Sequence, residues 1–157
     1  TIPSLWEANM EVLDPEHSGI NLFDENWKIY SRNSGMTGHQ IGENAVLDNC
    51  LITDGCNIKG TVRHSILFSG VTVEEGAIVE DAVVMGHSMI KAGAVVRHCI
   101  IAENATIEED AVVGAKPKGE GIGEVATIAA DVTIGKGAKI GPSAMIYEDV
   151  KEGEEQC

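Results

Sequence analysis

Aliphatic and polar residues follow each other along this chain with two nested periods. Four segments share one pattern: an aliphatic residue, two polar residues, a small residue and two aliphatic residues. They are LDNCLI from Leu47 to Ile52, VRHSIL from Val62 to Leu67, VEDAVV from Val79 to Val84, and VRHCII from Val96 to Ile101. Their starts lie 15, 17 and 17 residues apart. A fixed period of this kind is typical of a solenoid, in which each repeat forms one coil.

A shorter period of about six residues runs inside each repeat and continues beyond the fourth. Each unit begins with an aliphatic residue, continues with polar residues or glycine, and has a small residue in its fifth place. The later units begin at Ile101, Ile107, Ile128, Ile134, Ile140 and Ile146. Three such units form one turn of a triangular prism, with the leading aliphatic residues inside and parallel strands paired between coils. The pattern predicts an all-β parallel β-helix of about five coils over residues 41–157.

Two parts of the chain lie outside this pattern. The segment from Gly114 to Thr127 interrupts the six-residue period and is predicted to be a loop insertion on the surface. Residues 1–40 precede the repeats, and Ser4 to Glu7 has the S-x-x-E form of a capping box before apolar residues at helical spacing. We therefore expect a short N-terminal helix, ended at Asp14-Pro15, and then a linker. So short a helix must pack on the first coil or on an upstream domain.

Composition and charge exclude several classes of partner. Of the 157 residues, 11 are Lys or Arg and 25 are Asp or Glu, so the formal net charge is -14. Without a basic run, this charge argues against binding to nucleic acid or to an anionic membrane. No apolar stretch has the length of a membrane span, and no signal peptide precedes the repeats, so a cytoplasmic location is expected. The cysteines show no metal-site spacing, and we expect no metal site.

Histidine and arginine side chains are the candidates for chemistry. A hexapeptide acyltransferase would need a histidine as general base, and His87 at a Gly-His-Ser corner is the candidate to test. His64 and His98 share one repeat position with Asn49 and Asp81, so we expect both to lie on the solvated outside. No catalytic residue is therefore assigned, and acyl transfer stays an alternative function.

Two stretches before the repeats carry a more specific signal. SLWEANMEVLDP from Ser4 to Pro15 and INLFDENWKIYS from Ile20 to Ser31 resemble the segment that joins the two domains of bacterial glucose-1-phosphate adenylyltransferases. The resemblance continues through CLITDGCNIKGTVRHSILFSGVTVEEGAIVED and covers the chain from Thr1 to about Val113. The hexapeptides also resemble those of the left-handed β-helix family. This resemblance gives the hand of the predicted fold, which the period alone does not fix.

The resemblance implies a function for the parent enzyme and a different one for this chain. The family makes ADP-glucose from ATP and glucose 1-phosphate with Mg²⁺ in glycogen synthesis, using an N-terminal catalytic domain that residues 1–40 would follow. The β-helix is then expected to be non-catalytic and to serve regulation and assembly of a homo-oligomer, a tetramer in the parent. It would pack on its own catalytic domain and hold no cofactor itself.

An effector site for a phosphate-bearing ligand would need cationic side chains. Where effector-sensing relatives carry a basic residue after the fourth repeat, this chain has Ala102-Glu103-Asn104. Arg32, Arg63 and Arg97 are the remaining candidates. Three hypotheses follow: a regulatory and assembly domain of the adenylyltransferase, an acyltransferase, and a solenoid that only mediates oligomerisation.

Overall fold

Short parallel strands make up nearly all of the regular structure. The computed structural model describes residues 1–22, 24–30, 34–119 and 122–157. Two helices come first, α1 (Ile2–Glu11) and α2 (Pro15–Ser18). Four strands have seven residues: β2 (Val46–Ile52), β4 (Thr61–Leu67), β6 (Ile78–Val84) and β8 (Val95–Ile101). The short strands are β1 (Gln40–Ile41), β3 (Asn57–Ile58), β5 (Thr72–Val73), β7 (Met89–Ile90), β9 (Thr106–Ile107), β10 (Val112–Val113), β11 (Ala126–Ile128), β12 (Thr133–Ile134), β13 (Lys139–Ile140), β14 (Met145–Ile146) and β15 (Glu155–Gln156).

Equivalent strands of successive coils pair in parallel. β1, β3, β5, β7, β9 and β12 form a six-stranded sheet, and a parallel bridge from Ile134 to Val150 adds one further rung. Counted on this sheet, the described residues form seven coils, so the expectation of five was wrong. The missed rungs include the last one, where Glu155–Gln156 pairs through the backbone but carries little of the aliphatic pattern. Below, each coil is numbered from its strand in this sheet.

The leading aliphatic residues fill the prism as predicted. Val62, Val79 and Val96, which begin three of the repeats, are completely buried. The small residues in the fifth place are buried as well, among them Ala77 and Ala94. Burying each large aliphatic side chain contributes about 1.5–3 kcal/mol. Every coil therefore gains its stability from the stacking of the coils above and below.

A column of polar residues lies where each long strand turns a corner. Asn49, His64, Asp81 and His98 occupy the middle of β2, β4, β6 and β8, and each has a positive φ between 42° and 50°. Short polar side chains tolerate this left-handed backbone better than β-branched ones do. The corner therefore explains why this repeat position is never aliphatic.

Helix α1 packs across the outside of the solenoid. Its N-cap is Thr1, whose side chain accepts from the Ser4 amide, so the predicted capping box at Ser4 is wrong by three residues. Met10 of α1 packs with Val83, Ile100 and Val125 in a second apolar cluster. Val83 and Ile100 are the outward aliphatic residues of β6 and β8. The helix lies on the middle coils, where it contacts β4 and β6, and not on the first coil.

The strands define where the solenoid begins and where it is interrupted. The prism is interrupted between the end of β10 at Val113 and the start of β11 at Ala126, close to the expected insertion at 114–127. The first strand begins at Gln40, next to the expected start of the β-helix at residue 41. The prediction of an all-β, left-handed parallel β-helix with a short N-terminal helix is confirmed.

Candidate functional site

Two of the three candidate arginines contact one buried carboxylate. Arg63, Glu80 and Arg97 occupy the same repeat position in β4, β6 and β8 and are neighbours in register. Arg63 Nη1 donates to Glu80 Oε1 at 3.0 Å, and Arg97 Nε donates to Glu80 Oε2 at 2.8 Å. The third candidate, Arg32, lies outside the described residues. The sequence did contain a signal for this cluster, because charge alternates between these equivalent positions.

The Glu80 cluster, which consists of Arg63, Glu80 and Arg97, also contacts the loop insertion. Lys116 Nζ lies 3.5 Å from Glu80 Oε2, and Lys116 belongs to the segment excluded from the prism. Its hydrogen bond with Arg97 holds the pKa of Glu80 below its usual range, and Arg63 and Lys116 add to this effect against the opposing effect of burial. The carboxylate therefore stays ionised and links coils 2, 3 and 4 to the loop. Both guanidinium groups keep further N–H donors and are partly exposed, so an anion has access to them.

A cleft of about 490 Å³ lies between α1 and the polar corner of the solenoid. The indole Nε1 of Trp6 donates to the Asp81 carbonyl oxygen at 2.8 Å and fixes α1 on the corner. His64 Nδ1 donates to Asp81 Oδ1, also at 2.8 Å. The walls of the cleft are acidic and apolar, since α1 adds Glu7 and Glu11, and the described residues that line it include no lysine or arginine.

His98 is buried, which corrects the expectation of a solvated position. Its exposed fraction is 2%, and its ring lies against the Trp6 ring with the centroids 4.4 Å apart. Within the described part of the chain, the His98 Nε2 atom has no hydrogen-bond partner. Burial lowers the pKa of His98, while a hydrogen bond with the Ile122 backbone and the charge of Asp81 oppose this only partly. The repeat position alone gave no sign of this burial, because His64 is half-buried at the equivalent position.

The other candidate side chains do not form an activated group. His87 is exposed at its corner with a φ of 60°. Burial raises the pKa of the Cys50, Cys56 and Cys99 thiols, so these thiols remain protonated and unreactive. In the described ranges, no three His, Cys, Asp or Glu side chains come together as possible metal ligands. None of the helices described has the length and apolar character to cross a membrane.

The fold and its repeats define the class as a hexapeptide-repeat β-helix protein. Residues 35–122, more than half of the chain, match the family model described as GlmU-like, C-terminal hexapeptide. The chain therefore belongs to this family of hexapeptide domains.

Curated relatives agree with the resemblance found in the sequence. The glucose-1-phosphate adenylyltransferases of Bacillus mycoides (strain KBAB4) and of Bacillus anthracis are each 50% identical to this chain over 95 residues. The match covers 60% of this chain but only 25% of each relative. The predicted resemblance to this enzyme is confirmed, and the matched part spans a quarter of the relatives' length.

A solved structure has the same fold. The acetyltransferase domain of PglB from Neisseria gonorrhoeae FA1090, in complex with acetyl coenzyme A, aligns with a TM-score of 0.53 over 78% of this chain and 55% of that one. The sequences are 20% identical, and at this level the likeness concerns the fold alone.

Proposed function

We propose that this chain is the non-catalytic regulatory and assembly domain of a glucose-1-phosphate adenylyltransferase. The observation that carries the proposal is the 50% identity over 95 residues to enzymes of that name. In this proposal the parent enzyme makes ADP-glucose and pyrophosphate from ATP and glucose 1-phosphate for glycogen synthesis, in the cytoplasm. The β-helix packs on the parent's own catalytic domain and contributes to a homo-oligomer, a tetramer in the parent.

The catalytic chemistry belongs to the rest of the parent. The described residues offer no cluster of side chains suited to Mg²⁺, so this part of the chain does not fit the Mg²⁺–ATP site that the reaction needs. The loop that includes Lys116 and Lys118 also carries Glu124, and the acidic chain as a whole repels phosphates. We therefore expect the chain by itself to have no adenylyltransferase activity.

Turnover assays test this assignment directly. The purified chain, supplied with ATP, glucose 1-phosphate and Mg²⁺, should release no pyrophosphate above the rate without protein. The full-length gene product should release pyrophosphate and form ADP-glucose under the same conditions. ADP-glucose formation by the chain alone, or inactivity of the folded full-length protein, would contradict the proposal.

Regulation, if it uses this domain, should involve the Glu80 cluster. Arg63 and Arg97 have N–H donors without a partner among the described residues, beside a carboxylate that an incoming phosphate would have to displace or share. Fructose 1,6-bisphosphate and AMP should change the activity of the full-length enzyme, and Arg97→Gln should reduce the response. Lys139→Gln is the matched control, because Lys139 pairs with Glu155 on an exposed rung of coil 6. An unaltered response in Arg97→Gln would leave a solenoid that only assembles the parent.

Acyl transfer is the second candidate. The fold is shared with an acetyltransferase domain, but the only histidine singled out for that chemistry, His87, lies on an exposed corner. Calorimetry with acetyl coenzyme A should show no heat of binding for this chain. Measurable binding that is lost in His87→Ala would favour the acyltransferase instead.

A further inference from the structure

The contact between α1 and the solenoid contains a sealed imidazole. His98 lies at the corner of coil 4, beneath α1, with its ring against Trp6. Its Nε2 atom is inaccessible to solvent and has no partner among the described residues. A neutral imidazole tolerates this environment at a modest cost, whereas a protonated one would place an unsatisfied N–H donor and a charge under the helix.

We propose that His98 is a proton-sensitive latch, which allows α1 to dock on coils 3 and 4 only while its imidazole is neutral. Protonation requires access of water to the ring, and the helix must lift to provide it. Lifting α1 removes Trp6 from the Asp81 carbonyl and uncovers the outward stripe at Val83 and Ile100. The inference goes beyond the proposed function and does not depend on it, because it concerns only this chain's own contact.

The charged groups around His98 do not reverse the direction in which its pKa is shifted. Glu7 and Glu11 of α1 line the cleft next to His98, and Asp81 and His64 face it from β6 and β4. The loop insertion contributes Pro117 and Ile122, which carry no charge. Burial has the largest effect on the pKa of His98, the Ile122 backbone hydrogen bond and the Asp81 carboxylate oppose it, and the net direction is downward.

This direction fixes the pH range of the transition. The pKa of His98 is lower when α1 is docked than when the ring is free in water, where a histidine titrates near about 6.5. The undocked state therefore binds the proton more tightly. Docking is unaffected above that pH and weakens as the pH falls below it, by up to about tenfold in the docking constant per pH unit.

Tryptophan emission reports on the latch. Trp27→Phe, at an exposed position, leaves Trp6 as the only tryptophan. Between about pH 8 and about pH 5, the Trp6 emission of this variant should shift to the red, and the amides of α1 should lose protection in hydrogen exchange after correction for the intrinsic rate. The strands should keep their protection over the same range. Emission that is quenched without a red shift, with α1 still protected, would mean that His98 protonates in place, and this would overturn the latch.

Two histidines at equivalent positions give a matched pair of variants. His98→Asn should abolish the acid transition of α1, because asparagine does not titrate and suits the left-handed corner, as Asn49 does in coil 1. His64→Asn should keep the transition, since His64 is partly exposed and paired with Asp81. If α1 is already undocked in His98→Asn at neutral pH, direct titration of His98 by NMR in the wild-type chain decides. A midpoint at or above that of His64 would overturn the proposal.

Discussion

The first coil and the middle coils have the same sequence pattern but differ in burial. Val46 and Leu47 of β2 are 46% and 40% exposed, whereas Val62, Val79 and Val96, which align with Leu47, are completely buried. The difference arises because coil 1 has a neighbour on one side only. A hexapeptide therefore specifies which side chain points inward, while the stack decides how much of it is buried.

The outsides of these coils differ in a second way. In the middle coils, the outward Val83 and Ile100 lie under α1, while the equivalent Leu51 of coil 1 is only half-buried. The middle coils also hold the ionised Glu80 between two arginines. The equivalent Asp48 of coil 1 has no ion pair among the described residues, although it lies next to Arg63 in register. The cover of α1 and the ion pairs of Glu80 therefore lie on coils 2 to 4 and not on coil 1.

The largest predicted effect concerns the interior. Ile90→Ala in coil 4 should lower the free energy of unfolding by about 2–5 kcal/mol, because the narrow prism leaves a cavity that cannot collapse. Ile41→Ala, in the equivalent sheet of coil 1, should cost less than about 1 kcal/mol because Ile41 is 43% exposed. Urea denaturation measures both. Equal losses of unfolding free energy in the two variants would mean that coil 1 is covered in solution. That result would contradict the difference in burial between the first and the middle coils.

Truncation in the outward stripe formed by Val83 and Ile100 should lower the stability less than Ile90→Ala does. Ile100→Ala should cost about 2 kcal/mol, since the side chain is buried between the solenoid and the α1 cluster. The loss should appear first as faster hydrogen exchange in α1. Leu51→Ala, at the same repeat position in coil 1, is the control and should leave the exchange of α1 unchanged. A similar effect from both variants would show that α1 does not depend on the stripe.

The smallest predicted loss of stability concerns the Glu80 cluster. Glu80→Gln should cost about 1–2 kcal/mol near neutral pH, because charge-assisted hydrogen bonds are lost from guanidinium groups that stay partly hydrated. Asp48→Asn should have no measurable effect, because Asp48 has no ion pair in the described part of the chain.

The sign of the pH dependence follows from the lowered pKa of Glu80. The unfolded chain binds the proton more tightly, so the stability from Glu80 is complete above the pKa of an unfolded glutamate and is lost as the pH falls through the folded one. The difference in urea midpoint between wild type and Glu80→Gln should therefore close in acid. A difference in urea midpoint that widens in acid would contradict the ion pairing of Glu80 with the arginines.

Much of the fold could be predicted because the same sequence pattern occurs in several successive repeats. The four aligned segments fixed the inward positions, and the break after Val113 placed the loop insertion. The last coil was missed because its rung at Glu155–Gln156 forms through backbone pairing without the aliphatic pattern. The N-cap was misplaced because Ser4 fits a capping box as well as Thr1 fits a cap, and local sequence does not choose between them.

The candidate site was predicted only in part. Arg63 and Arg97 were identified by residue type, but their shared partner Glu80 was not, although the common repeat position would have indicated it. His98 was expected to resemble His64, which occupies the same repeat position two coils earlier, but the two differ in burial. The difference comes from α1, which covers one corner of the column more fully than the other.

The sequence by itself determined the period, the inward face of the strands that carry the aliphatic pattern and the likeness to the adenylyltransferases. These properties are local or repeated, so each coil carries the same information. The tertiary structure alone decided which outward residues are covered, and with them the environment of His98. The physical reason is distance along the chain. Trp6 donates a hydrogen bond to the backbone of Asp81, 75 residues away, and no local pattern specifies so remote a contact.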